Sequence, residues 1–242
     1  MLLLEREEGR THLFWYAALH WRVTFRRAAM TREELLREGE RLAKPCVRLE
    51  ETGTDYCAVW GGMGVVPLRD ARFRHWISVD SRALPDGHAL SGCFSVYANQ
   101  EDVASGLVLV DRQATLPLNP DGQKLYRHTG LSLPPIEGIF RYGSDAMQIW
   151  LRANQWRPEW GYNSNFRDRL PIEAYRQHYH DQLDLKGTTV VALLGGWHFP
   201  WWNEDWADLL SARLLVWTLR KSEPWIEAWD DHGRLRVIQR TS

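Results

Sequence analysis

The chain has 242 residues, 44% hydrophobic and 25% charged, a balance that excludes an intrinsically disordered polymer and supplies enough apolar material for a sizeable core. Thirty Lys and Arg against 31 Asp and Glu leave a formal net charge of -1, so overall charge argues for no nucleic-acid partner and any electrostatic role is local. Three cysteines, Cys46, Cys57 and Cys93, are an odd number without close pairing, which suits a reduced compartment and predicts three free thiols.

At the start, Met1 to Leu4 is too short an apolar run for a signal-peptide core. No later run approaches the roughly 20 apolar residues of a spanning helix. The expectation is a cytoplasmic protein without membrane contact. Residues 12–25 are rich in aromatic and β-branched residues and read as a central strand. Thr31 and Glu34 have capping-box spacing ahead of Leu35, Leu36 and Leu42, which predicts a helix ending before Pro45. Short strands are expected at Cys46–Leu49, Tyr56–Trp60, Phe73–Val79, Cys93–Tyr97 and Gly106–Val110, separated by Gly, Pro and Asp.

Prolines 117, 120, 134 and 135 make residues 116–143 read as an irregular connection. Ser144 then caps a helix bearing Met147, Ile149, Trp150 and Leu151, and a second helix is expected from Pro171 to Leu183. Val190–Leu194 is a buried-strand candidate. A Trp-dense loop, a short helix opened by Asn203, and strands at Leu214–Leu219 and Arg234–Gln239 complete the chain. Together these predict an α+β fold, a mixed and largely antiparallel sheet with helices packed on it, in a single domain over residues 1–242.

Catalytic signatures are incomplete, and no catalytic residue or cofactor is assigned. Gly62 and Gly64 begin a dinucleotide fingerprint whose third glycine position is Pro67. Gly130 and Ser132 begin a nucleophile elbow that has Pro134 where its second glycine belongs. His178 and His180, with Asp181 and Asp184, form the most metal-like cluster. On a helix, however, residues two apart point about 200° from each other, whereas helical ligand pairs lie three or four apart, so no metal site is assigned.

The tryptophans carry the strongest signal. Ten of the fourteen fall in the last 100 residues, and the run from Gly195 to Trp206 contains Trp197, Trp201, Trp202 and Trp206. Neighbouring side chains of an extended segment diverge, so one of Trp201 and Trp202 is expected near the surface. From Gly195 to Gly233 there are seven acids and three bases, a local balance of 3 − 7 = −4 that favours a basic partner. The candidate partner-binding residues are Trp201, Trp202, Glu204, Asp205, Asp208, Asp230 and Asp231.

Gly195, Gly196, Trp197 and Trp201, with Asp205 and Trp206 following, resemble the motif of the immunity protein 52 family of bacterial polymorphic-toxin systems. The resemblance rests on roughly residues 135–215. It implies an α+β immunity protein that binds a cognate nuclease toxin of restriction-endonuclease fold, delivered by type VI secretion, with no direct nucleic-acid contact. The rival expectation is a carbohydrate-binding or glycoside-active protein, with tryptophan faces stacked on sugars and acid/base work by carboxylates among Glu204, Asp205 and Glu227.

Overall fold

The computed structural model describes residues 31–85, 88, 90–102, 105–153, 175, 177–178, 190–197, 212–218 and 225–240. The strand expected over residues 12–25 and the helix at Asn203 lie outside them. Thr31 caps α1 (Arg32–Arg41) as its spacing requires: its Oγ1 accepts the Glu34 amide at 3.2 Å, and the Glu34 carboxylate accepts the Thr31 amide at 2.8 Å. Five strands then follow near their expected positions: β1 (Lys44–Glu50), β2 (Tyr56–Trp60), β3 (Phe73–Asp80), β4 (Cys93–Asn99) and β5 (Gly106–Asp111).

The region expected to be an irregular connection holds a ten-residue strand, β6 (Gln123–Ser132), and helix α2 (Ile136–Tyr142). The four prolines flank β6 instead of interrupting it, so every residue that must join its ladder retains an N–H. Helix α3 (Asp145–Ala153) follows Ser144, and Tyr175, Gln177 and His178 are helical. Four strands complete the order: β7 (Val190–Gly195), β8 (Arg213–Thr218), β9 (Trp225–Asp231) and β10 (Arg234–Arg240). The β9 strand escaped the sequence reading.

The expected mixed sheet with helices packed on it is not the fold. The ten strands form one sheet in the order β10-β9-β8-β7-β1-β6-β2-β3-β4-β5, and every adjacent pair is antiparallel. The sheet curls until its edge strands β5 and β10 lie side by side, where a Cβ on Gly106 would stand 2.5 Å from Val237 Cγ1. The result is a nearly closed barrel with a few short helices. Curling of this kind hides the exposed strand edges that an open sheet would present.

One apolar cluster fills the interior, with buried residues from nine of the ten strands, from Val47 and Leu49 of β1 through Ile77, Phe94, Leu125 and Leu194 to Val237 of β10, and with Val108 and Val110 of β5 packed against it. The sheet is therefore its own second layer. Leu35, Ile136, Ile139, Met147, Trp150 and Leu151 of α1, α2 and α3 join Leu193, Leu214, Trp217 and Trp229 in a separate, smaller cluster on the outside of β7–β9. Cys46, Cys57 and Cys93 are free and buried, and loss of hydration pushes their thiols up to about 11, 12 and 11.

Among the described residues no helix is long and apolar enough to cross a membrane.

Candidate functional site

Gly195, Gly196 and Trp197 turn the chain away from the end of β7. Both glycines have positive φ, 64° and 76°. A Cβ on Gly196 would lie 2.8 Å from the Cβ atoms of both Cys46 and Ser132, and one on Gly195 would lie 2.6 Å from Pro85 Cγ. Only glycine meets the conformational and steric conditions together.

Trp197 is then fixed from several sides. Its amide donates to Ser132 Oγ at 3.1 Å and its indole Nε1 donates to Leu42 O at 2.7 Å. The Tyr142 ring lies 5.7 Å away, and the Lys44 ammonium sits 3.7 Å over the indole face. Burial lowers the Lys44 pKa from its ordinary value. With 7% of its surface exposed, Trp197 builds the corner; it is not a contact surface. Ser132, the residue of the rejected nucleophile elbow, serves here as a tie between β6 and this corner.

The connection between β3 and β4 crosses the same end of the barrel. Arg82 O accepts from Arg127 Nη1 of β6 at 3.4 Å, Pro85 packs on Gly195 of β7, and His88 feels the charges of Arg213 on β8 and Asp230 on β9. Ala83, Leu84 and Leu90 from this segment join the interior cluster and plug the end. Burial is the main cause that lowers the His88 pKa, with Arg213 assisting and Asp230 opposing.

Asp230 and Asp231 close the β9–β10 hairpin. Asp231 pairs with Arg234 across a two-residue turn in which His232 and Gly233 have φ of 52° and 91°. Asp230 Oδ1 accepts the Gly233 amide at 2.7 Å, so this carboxylate shapes the turn whatever else it does. Asp230 is also paired with Arg213 in the β8–β9 ladder.

The motif corner, the first residue of β8 and the β9–β10 hairpin thus share one end of the barrel, and there Asp230 stands opposite Arg213 and Asp231 opposite Arg234. Trp201, Trp202, Glu204, Asp205 and Asp208 lie outside the described residues, as does His180 of the metal-like cluster. Glu227, counted in the acidic balance, is 0% exposed and accepts from Trp229 Nε1 at 3.3 Å, so it adds no surface charge. No group of three or more His, Cys, Asp and Glu suited to holding a metal ion occurs among the described residues.

No family model, curated protein or solved structure matches this chain.

One constellation escaped the sequence reading. On the outer wall of β3 and β4, His75 Nε2 lies 2.8 Å from Ser78 Oγ, and Ser78 Oγ lies 2.7 Å from Ser95 Oγ. A serine so close to an imidazole is the arrangement of an activated nucleophile. Here Ser78 is 0% exposed and its oxygen also accepts the Val65 amide at 3.0 Å, so no lone pair faces a substrate. The group holds the segment 61–70 against the barrel.

Alternation along β3 would send His75 and Ser78 to opposite faces. A bulge between His75 and Ile77 resets the phase, so that His75 pairs with Tyr97 and Ser78 with Ser95 on one face.

Proposed function

We propose that this chain is a cytoplasmic immunity protein that binds a cognate nuclease toxin and blocks its active site or its access to DNA. The observation carrying the reading is that the Gly195–Trp197 corner and the start of β8, which bound the Trp-rich acidic run, meet at one barrel end beside the hairpin of Asp230 and Asp231. Residues 198–211, which contain Trp201, Trp202, Glu204, Asp205 and Asp208, join this corner to Ala212 and Arg213 at the start of β8. Both attachment points of that segment belong to this one end. The family resemblance supports the same reading.

A nuclease presents basic surface to phosphates, so carboxylates tethered to a rigid barrel are suited to imitate the nucleic-acid backbone, with a tryptophan anchoring the contact. Buried Glu227 weakens the carbohydrate alternative, because an acid/base carboxylate must reach the sugar.

The test is growth of cells expressing a candidate nuclease toxin with and without this chain, followed by co-purification. Rescue with a stable complex is expected, and Asp205→Lys with Asp208→Lys should weaken it. If the charge reversals leave affinity unchanged, the acidic segment is not the interface; if a panel of active nuclease toxins gives neither rescue nor complex, the immunity reading fails.

A further inference from the structure

Donors and acceptors give the His75 network a direction. Nδ1 of His75 faces the carbonyl oxygens of Gly61 at 3.0 Å and Gly62 at 3.2 Å, which only accept, so Nδ1 carries the hydrogen of the neutral ring. Nε2 is then a lone pair that takes the Ser78 hydroxyl hydrogen. With that hydrogen committed, Ser78 Oγ accepts the Ser95 hydroxyl as well as the Val65 amide. Ser95 Oγ accepts the Val66 amide at 3.1 Å, and Tyr97 donates its hydroxyl to Val66 O at 2.6 Å. Hydrogens therefore run one way from Ser95 to Gly61, and each of these side-chain atoms is satisfied.

The segment held in this way carries Met63 at its tip, 79% exposed, with its amide on the Asp121 carboxylate at 3.0 and 3.1 Å. We propose that the network is a proton-operated latch: protonation of His75 releases the loop at residues 61–70 while the barrel stays folded.

A protonated ring has a hydrogen on Nε2 directed at Ser78 Oγ, 2.8 Å away. The Ser78 hydroxyl then turns to Ser95, and the Ser95 hydrogen loses its acceptor in the network. Reversal of the chain thus strands a buried donor beside a buried cation, and both are costly. The groups facing the ring offer little relief. The loop presents the two carbonyl dipoles, β4 the Ser95 hydroxyl and the Tyr97 phenol, and β3 the Ser78 hydroxyl and the Ile77 backbone; the backbone groups favour the charged ring, but by less than burial disfavours it. From the β5–β6 connection, Asp121 attracts the charged ring, yet its oxygens already hold Met63, and burial dominates in lowering the His75 pKa.

Release is local because Ile77, Val79, Phe94 and Val96 fill the barrel from the opposite face of the same strands. The latch operates whatever the chain binds.

Amide hydrogen exchange between about pH 7.5 and pH 5, corrected for intrinsic rates, reads the latch directly. Opening at Val65 and Val66 should rise by up to about tenfold for each pH unit below the ordinary histidine value of 6.5, while β1 and β6 amides stay protected. In His75→Gln the loop should exchange independently of pH. Ring 15N shifts should show an Nδ1–H tautomer at neutral pH and a titration midpoint matching loop opening. The proposal is overturned by pH-independent loop exchange in the native chain, by pH dependence that persists in His75→Gln, or by loop and barrel opening together. If His75→Gln does not fold, the ring titration decides: a midpoint apart from that of loop opening, or an Nε2–H tautomer, defeats the latch.

Discussion

The loop at residues 61–70 and the corner at Gly195–Trp197 both hold irregular backbone against the barrel, and they do so with different chemistry. At the loop, buried hydroxyls and an imidazole satisfy backbone amides and carbonyls, so the attachment depends on the protonation of one ring. At the corner, two glycines admit a close approach, and an indole with no titratable proton near neutral pH fills the space beneath α2. Close packing and hydrogen bonds to a hydroxyl and a backbone carbonyl hold the corner, whereas the attachment of the loop includes one titratable ring. A barrel that must present one surface under all conditions is better served by the first.

The largest expected effect breaks the corner. Gly196→Ala adds left-handed strain and a clash with Cys46 and Ser132, and should destabilise the protein by about 2–4 kcal/mol in urea denaturation, equally at neutral and mildly acidic pH. A loss that varied with pH would erase the contrast between the two attachments. Trp197→Phe removes the hydrogen bond to Leu42 O and should cost about 1–3 kcal/mol by the same measurement.

Ser78→Ala leaves the Val65 amide and His75 Nε2 without their partner and should also cost about 1–3 kcal/mol, with the loss seen first as faster exchange in residues 61–70. Uniform loss of protection across the barrel would instead make the loop part of the global fold.

Protons sharpen the comparison further. The folded His75 pKa lies below the 6.5 of the unfolded chain, so between those values the unfolded state binds more protons. The stability this ring contributes is full above about pH 6.5 and declines as pH falls through the window below it. A pH series of urea midpoints for the native chain and Gly196→Ala should show parallel declines, whereas Ser78→Ala, with its network already broken, should show an altered slope. Thr31→Ala, remote from both segments, should cost about 1 kcal/mol through the lost cap of α1 and leave exchange in both segments unchanged.

Local signals were legible where neighbours in sequence decide the structure. The capping box of Thr31 and Glu34, the short strands between turn residues and the Gly195–Gly196 break all depend on residues within a few positions of one another. Strand β6 was missed because its flanking prolines outweighed its own alternation, in which Leu125 faces the interior between outward Lys124 and Tyr126. Burial of Glu227 was equally invisible, because its position in the β8–β9 ladder opposite Trp217, and not its residue type, sets its environment.

The amino-acid sequence by itself determined where most of the described strands and helix α1 lie, that the cysteines are unpaired, and that the chain must turn at Gly195–Gly196, since propensity, capping and backbone sterics act over a few residues. Tertiary structure alone decided that the sheet curls into a barrel with its main core inside, that a bulge brings His75 onto the face of Ser78, and that the motif corner meets the β9–β10 hairpin. Each of these depends on register between strands far apart in sequence, and register is set by which side chains fit together across the barrel.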